Sequence, residues 1–196
     1  PLREFEALNL LASLDIAPQP VFYDSALGPV VIYEFLEGEM WDRTKPTAVQ
    51  LHQLADLWLT LNDLPATGLW LSRGMERTMQ EVSAMFHSYL SNYKSWAQQH
   101  FRPGLAGAAQ CRVLLERLPT ILDSFTQLPD PTLLFCRSDP RFANVIQRPD
   151  GRLALVDWED CGLCDSARDV ADLLTHPNQE DLLTDAEWEA FLRPYT

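Results

Sequence analysis

Apolar residues recur at helical spacing at the start of the chain and at strand spacing directly after it. Residues 2–14 carry an apolar side chain every third or fourth position, which predicts an amphipathic helix. Two prolines, Pro18 and Pro20, end this pattern. Residues 21–25 and 28–35 are rich in β-branched and aromatic side chains, which predicts two strands joined by a short turn.

Helical spacing dominates the middle of the chain. Pro46 opens a predicted helix that runs to about Asn62, and two longer helices are predicted over about 75–100 and 105–127. A compact β segment is predicted at 132–157, and short helices end the chain. The pattern therefore indicates that the first 38 residues are part of an α+β lobe and that residues 46–127 are mostly helical.

Composition and charge narrow the classes of function. The chain has 196 residues, 46% of them apolar, which is enough for a buried core, and its formal net charge is −13. This acidic balance argues against binding to nucleic acid or to an anionic membrane surface, and it favours a cationic small molecule as partner. Four cysteines do not make a disulfide framework in a chain of this size, so we expect a reducing, cytoplasmic compartment.

Residues 132–157 contain the side chains that carry chemistry. A Pro-Asp-Gly sequence at 149–151 predicts a hairpin between two apolar strands, and an Asp-Gly pair favours a two-residue connection. With that connection, Asn144 lies directly opposite Asp157. An amide oxygen beside a carboxylate suits Mg²⁺, and Asp139 supplies a further carboxylate on the loop before the hairpin.

Structural roles explain the same side chains without a metal. Asp139 can cap a turn, Asn144 can lie in a loop, and Asp157 can end a strand. The Cys161-x-x-Cys164 spacing is half of a zinc or redox motif. The four histidines show no paired spacing that would complete it, so we expect these cysteines to be structural.

The stretch C-R-S-D-P-R-F-A-N-V at 136–145, followed by L-A-L-V-D-W-E-D at 153–160, resembles the aminoglycoside phosphotransferase/choline kinase-like family. That family's catalytic and metal-binding loops read His-Gly-Asp, four residues, Asn, a hairpin and Ile-Asp-Trp-Glu. The resemblance implies that Asp139 is the catalytic base and that Asn144 and Asp157 are metal ligands. Further along, it implies that Asp169 braces the catalytic loop.

The resemblance continues upstream of this stretch. Glu4 matches the helix glutamate that pairs with a nucleotide-binding lysine. Glu34, Phe35 and Leu36 match the hinge, whose backbone binds adenine. The resemblance therefore implies ATP and Mg²⁺ as cofactors.

A two-lobe, protein kinase-like fold follows from the resemblance. Residues 1–38 form a partial, truncated N-terminal lobe, and residues 39–196 form a mainly helical C-terminal lobe with the functional loops at 136–160. The family's glycine-rich loop and ATP-contacting lysine have no counterpart, since no glycine precedes Gly28 and no lysine precedes Lys45. Either the chain is an incomplete version of a full kinase, which we favour, or it is a degenerate relative.

The catalytic loop departs from the family pattern at two positions. Arg137 and Ser138 replace the pattern's His-Gly, so the imidazole beside the catalytic Asp is absent. Arginine cannot act as a base, but its planar fork can hold a carboxylate or a phosphate.

Acidic residues concentrate at the end of the chain. Residues 157–196 contain eleven acidic and two basic residues, which is −9 of the net charge of −13. Because this part of the family's fold lines the acceptor site, the resemblance implies a site for a polyamine, aminoglycoside or choline-like cation, with Glu159 and Asp160 as members. A solvated acidic helix face explains the same charge, and we weigh both interpretations equally.

The sequence is therefore consistent with two functions. The first is an ATP- and Mg²⁺-dependent phosphotransferase that moves the γ-phosphate to a hydroxyl of a small, cationic molecule. The second is a non-catalytic kinase-like module that binds a metabolite or a partner without phosphoryl transfer. Neither function involves nucleic acid or a membrane.

Overall fold

A computed structural model of the chain describes residues 1–26, 28–42, 44–73, 79–100, 102, 107–125, 131–179 and 181–195. The contacts divide the chain into two compact units. One combines Pro1–Arg73 with Thr132–Thr196, and the other is Gly74–Pro131. The lobe boundary predicted at residue 38 stays a prediction.

The first unit begins with a helix and a two-stranded antiparallel sheet, as the apolar pattern predicts. These elements are α1 (Leu2–Leu11), β1 (Pro20–Asp24) and β2 (Val30–Tyr33). The helix ends three residues earlier than expected, because the amide of Ala12 bonds to the Asn9 carbonyl and tightens the last turn. The buried residues of α1 are Ala7, Leu8 and Leu11.

The core of this unit forms between helices and two small sheets. The helices are α2 (Ala48–Asn62), α5 (Ser166–Thr175) and α6 (Asp185–Leu192). One sheet has the order β3 (Glu39–Met40), β5 (Val145–Gln147), β6 (Leu153–Leu155), and the other pairs β4 (Leu133–Cys136) with β7 (Gly162–Asp165). The largest apolar side chains that are fully buried in this core include Trp58, Trp158 and Phe135. The loop that follows β4 leaves one of these sheets, and the loop that follows β6 leaves the other.

Two of these strands were not predicted from the sequence. The strand β3 pairs with β5, and β7 pairs antiparallel with β4. Gly38 precedes β3 at φ +153°, and a Cβ atom there would lie 2.4 Å from the Gln147 carbonyl oxygen. The close approach of these two backbones therefore depends on glycine at this position.

The connection between β5 and β6 has three residues, so the predicted two-residue turn was wrong. Arg148 accepts a hydrogen bond from the Gly151 amide at 2.9 Å and donates one to the Arg152 carbonyl at 2.8 Å. Gly151 has φ +84°, in the left-handed region that glycine adopts without strain. A turn followed by a left-handed glycine adds one residue to the loop and shifts the register by one position.

The second unit is a pair of packed helices. The predicted helices over 75–100 and 105–127 are confirmed over the described residues as α3 (Met79–His100) and α4 (Ala108–Phe125). They pack through Leu90, Ala97, Leu115 and Leu122. Within the described ranges, no helix has the length and apolar character needed to span a membrane.

The start of α6 makes the stability of the first unit depend on pH. Glu187 accepts a hydrogen bond from the Thr184 amide at 2.8 Å and pairs with Lys45 at 2.9 Å. These contacts lower the pKa of Glu187 to about 2, and the hydrogen bond from the Thr184 backbone has the largest effect. The stability that the carboxylate contributes is complete above its unfolded pKa of about 4.3 and is lost as the pH falls towards 2.

We therefore expect Glu187→Gln to lower the free energy of unfolding at pH 7, and we expect this loss to shrink as the pH falls from 5 through 3 towards 2. Urea denaturation at pH 7, 5 and 3 measures this difference. Glu189→Gln is the matched control, because Glu189 is an exposed residue of the same helix. A difference between wild type and Glu187→Gln that does not shrink as the pH falls would contradict the assignment.

Candidate active site

The base of the β5–β6 hairpin brings Asn144 and Asp157 together, although not through the predicted pairing. Val145 pairs with Leu155, so Asn144 lies opposite Val156, whose amide donates to the Asn144 carbonyl at 3.0 Å. The register predicted from the sequence was therefore wrong by one residue. Asp157 then adopts φ +67°, and its Oδ2 lies 3.4 Å from Asn144 Nδ2.

Asp139 lies beside this pair, on the loop that follows β4. Its backbone carbonyl lies 3.4 Å from Asn144 Nδ2, and its carboxylate accepts hydrogen bonds from Arg141 through Nε, at 2.9 Å, and Nη2. The same Nη2 lies 3.9 Å from Asp157 Oδ2. The structure therefore brings the three residues singled out in the sequence into one cluster, with a guanidinium between the two carboxylates.

Asp169 contacts the loop that carries Asp139 from the first turn of α5. Its carboxylate accepts hydrogen bonds from the backbone amides of Ser138 at 2.7 Å and Arg137 at 3.3 Å. The side chain is 2% exposed, and this burial raises the pKa of Asp169, while the two amides and the Arg137 charge oppose the rise. Asp169 therefore binds the backbone directly before Asp139, and its role as a bracing residue stays a prediction.

Ser138 holds the loop in a conformation that glycine adopts more easily. Its φ is +65°, and its buried Oγ makes no hydrogen bond within the described part of the chain. A left-handed backbone costs a residue with a Cβ atom about 1 kcal/mol. The family pattern has glycine at this position, and the strain follows from the replacement.

We therefore expect Ser138→Gly to stabilise the protein by about 1 kcal/mol, because it removes both the left-handed strain and the unpaired hydroxyl. Thermal unfolding followed by circular dichroism would show this as a rise in Tm of about 2–4 °C. Ser95→Gly is the control, because glycine in the interior of α3 should lower the Tm. A lower Tm for Ser138→Gly would show that the loop is not strained there.

A glutamine that sequence reasoning missed holds the other side of the loop. Gln179 is fully buried, and its Nε2 donates to the carbonyls of Pro140 at 2.8 Å and Leu173 at 2.9 Å. Its Oε1 accepts from the Phe142 amide at 3.1 Å. Arg141 was missed as well. No periodicity marks either residue: the loop partners of Gln179 are set by the tertiary fold, and the pairing of Arg141 with Asp139 depends on the local loop conformation.

Glu4 lies in the same electrostatic environment as Asp157. Burial raises the pKa of Glu4, the charge of Asp157 adds to the rise, and a hydrogen bond from the Trp158 backbone opposes it. Burial also raises the pKa of Tyr33, with the charges of Glu4 and Asp157 as further causes. Helix α1 therefore places a carboxylate next to the loop that carries Asp157.

The three residues predicted to form a hinge, Glu34, Phe35 and Leu36, directly follow β2. Phe35 is 88% exposed, and the Glu34 amide donates to the Gln19 carbonyl at 2.9 Å. Phe35 and Leu36 line a cavity of about 340 Å³ with residues of the hairpin tip. Among the described residues, the lining of that cavity includes no member of the Asp139 cluster.

The two proposed acceptor-site residues differ in their surroundings. Glu159 is exposed. The Asp160 carboxylate pairs with Arg73 Nε at 2.8 Å, and the Asp160 carbonyl accepts from the Arg73 amide at 3.3 Å. Glu159 is therefore open to a ligand, whereas Asp160 already has a cationic partner.

The donor set of the cluster fits Mg²⁺. Asn144 supplies an amide and Asp157 a carboxylate that is 38% exposed, and Mg²⁺ takes such oxygen ligands beside water and phosphate. Asn144 Nδ2 faces Asp157, so the amide must turn to present its oxygen to a cation. Within the described ranges, no group of three or more His, Cys, Asp or Glu side chains forms a metal site. Two protein ligands would thus leave the remaining positions to water and phosphate.

The chain matches a family model over residues 2–196, and that model describes the phosphotransferase enzyme family. A comparison with curated proteins finds no match. The sequence resemblance to the aminoglycoside phosphotransferase/choline kinase-like family is confirmed by this model and by similar solved structures.

Three solved structures illustrate the likeness in fold. Choline kinase LicA from Streptococcus pneumoniae is 23% identical, with a TM-score of 0.61 over 100% of this chain and 61% of that chain. A choline/ethanolamine kinase family protein from Mesorhizobium loti is 19% identical, with a TM-score of 0.65 over 99% and 59%. A spectinomycin phosphotransferase in complex with ADP and spectinomycin is 15% identical, with a TM-score of 0.66 over 99% and 63%.

These likenesses confirm the predicted α+β, protein kinase-like fold. The chain spans about three fifths of the length of the proteins it resembles.

Proposed function

Since the chain belongs to the phosphotransferase enzyme family, we propose that its site transfers the γ-phosphate of ATP to a hydroxyl of a small molecule. The cluster of Asp139, Asn144 and Asp157 carries this proposal, because one network of contacts joins residues from the loop after β4 and from both ends of the β5–β6 hairpin. A similar fold binds AMP in choline kinase LicA, and another binds ADP in spectinomycin phosphotransferase. These complexes support a nucleotide as phosphate donor.

Asp139 is the residue that would receive the acceptor hydroxyl. Its carboxylate lies on a loop held by Asp169 on one side and by Gln179 on the other. A carboxylate fixed in this way can accept the hydroxyl proton and orient the oxygen for in-line attack. Arg141 occupies one oxygen of Asp139, which leaves the other oxygen for the hydroxyl.

Asn144 and Asp157 would hold Mg²⁺. When bound, Mg²⁺ neutralises charge on the transferring phosphates. Asn144 contributes an uncharged amide, so the pair keeps one net negative charge for a dication. Arg141, 3.9 Å from Asp157, lies within reach of an anionic group bound beside the pair.

The acceptor in this proposal is a small cation. Glu159 is an exposed carboxylate two residues after Asp157, and the last forty residues carry most of the net charge. Choline, ethanolamine and spectinomycin are named for the proteins of similar fold, and all three are cationic hydroxyl compounds. Charge attraction of this kind raises the local concentration of a cationic substrate.

The test is product formation by the full 196-residue chain. We expect incubation with Mg²⁺-ATP and a panel of choline, ethanolamine, spermidine and aminoglycosides to give ADP and one phosphorylated acceptor, detected by ³¹P NMR. Asp139→Asn is the inactive control. Asp157-dependent binding of Mg²⁺-ATP with no product from any acceptor would overturn phosphoryl transfer by this chain and favour the non-catalytic binding module.

A further inference from the structure

Arg137 places a positive charge in the core of the first unit. Its side chain is 1% exposed, although arginine is almost never buried without partners. It follows β4 directly and precedes Asp139 by two residues. The contacts that compensate its burial therefore show what the residue does at this site.

The guanidinium directs its contacts to three consecutive residues of the loop after β6. Nη2 donates to the backbone carbonyls of Val156 and Asp157, the latter at 2.9 Å. The Cζ atom lies 5.0 Å from the centre of the Trp158 ring, within the range of a cation–π contact. Among the described residues, Nε and Nη1 have no hydrogen-bond partner, so its hydrogen bonds are confined to that loop.

These two carbonyls flank Asp157 on either side. The Val156 carbonyl belongs to the peptide before the Asp157 Cα atom, and the Asp157 carbonyl belongs to the peptide after it. A single nitrogen that binds both carbonyls restrains both φ and ψ of Asp157. The φ of +67° is sparsely populated for a residue with a side chain, and such a conformation persists only where the surroundings hold it.

Nearby carboxylates help to keep the buried Arg137 guanidinium charged. Burial lowers the pKa of Arg137 to about 10, and the charges of Asp157, Asp169 and Asp139 oppose the decrease. The guanidinium is therefore protonated at neutral pH and retains its full hydrogen-bonding capacity. Its charge also lies among the carboxylates that the proposed function uses.

We propose that Arg137 is a positioning residue that couples the Asp139 loop to Asp157 by fixing the backbone on both sides of Asp157. Its backbone amide is held by Asp169, and its guanidinium holds Val156 and Asp157. One residue thus connects the loop of the proposed base to the loop of the proposed metal ligand. The structural part stands on these contacts alone, and only its effect on metal binding rests on the proposed function.

Amide hydrogen exchange of the full chain, without metal or nucleotide, tests the coupling directly. The Val156 amide donates to Asn144, and the Trp158 backbone donates to Glu4. In Arg137→Met, we expect these two amides to exchange at least about tenfold faster, with unchanged exchange in the interior of α2. Arg137→Lys should restore part of the protection, because its ammonium keeps the charge and can donate to both carbonyls.

Mn²⁺ affinity in the presence of ADP, measured by electron paramagnetic resonance, gives the second readout. We expect Arg137→Met to weaken Mn²⁺ binding by about 10- to 100-fold, while ADP binding in EDTA is unchanged. Arg152→Met is the matched control, since Arg152 is 58% exposed at the hairpin tip.

Three results would overturn the positioning role. They are unchanged exchange at Val156 and Trp158, a uniform increase across the first unit, and failure of both Arg137 variants to fold. Normal Mn²⁺ affinity in a folded Arg137→Met would overturn the link to the metal. A wild-type chain that binds no Mn²⁺ would count against the proposed function alone, because the exchange measurement contains no metal.

Discussion

Asp139→Asn is expected to lower the rate of phosphoryl transfer by about 10²- to 10⁴-fold and to leave ATP affinity within about twofold of wild type. The asparagine amide has nearly the same shape as the carboxylate but cannot accept a proton at neutral pH. The loop itself should keep its position, because Asp169 and Gln179 bind its backbone and not the Asp139 side chain. The expected loss therefore falls on turnover and not on nucleotide binding.

The measurement is a steady-state assay of ADP release with the acceptor identified by ³¹P NMR, combined with calorimetric titration of ATP. Asp150→Asn is the matched control, since Asp150 is an exposed aspartate at the hairpin tip. Equal losses of turnover and of ATP affinity in Asp139→Asn would contradict a catalytic role and indicate a structural one. Unchanged turnover would contradict the role as base.

Asp169→Ala is expected to cost about 2–3 kcal/mol of stability and most of the turnover. The substitution leaves the buried amides of Arg137 and Ser138 without an acceptor, at about 1–3 kcal/mol for each unsatisfied group. Removal of the unfavourable burial of the carboxylate, which raises the pKa of Asp169, offsets part of this cost. The loop that carries Asp139 then loses one of its two attachments.

Urea denaturation measures the first effect and the ADP-release assay the second. Asp172→Ala is the control, because Asp172 is an exposed residue on the same helix. A large loss of stability with full turnover in the remaining folded protein would show that Asp169 supports the fold and not the position of Asp139.

Local patterns predicted most of the elements, since each of them depends on neighbouring residues. Apolar spacing predicted α1, and the opening residues around Pro46 predicted α2 close to its observed bounds. The strands β3 and β7 were missed because they are two and four residues long and exist only through pairing with distant strands. Such pairing leaves no periodicity in the sequence.

The residues that form the candidate site could be predicted from the sequence, but the geometry of their contacts could not. Spacing and resemblance singled out Asp139, Asn144 and Asp157, and the fold brings them together. The register was wrong because the loop includes Pro149 as well as Asp150 and Gly151, and Asn144 still meets Asp157 because Asp157 has a left-handed backbone. Arg137, buried on the carbonyls that flank Asp157, could not be predicted, since its partners lie about twenty residues away in sequence.

The most direct test of the account is the affinity of the 196-residue chain for Mn²⁺ in the presence of ADP, measured by electron paramagnetic resonance. We predict that Asp157→Ala and Asn144→Ala each weaken Mn²⁺ binding at least about tenfold, whereas the hairpin-tip variant Asp150→Asn binds like wild type. Equal Mn²⁺ affinity in wild type and Asp157→Ala would contradict the central claim that Asn144 and Asp157 form the metal side of a phosphotransferase site.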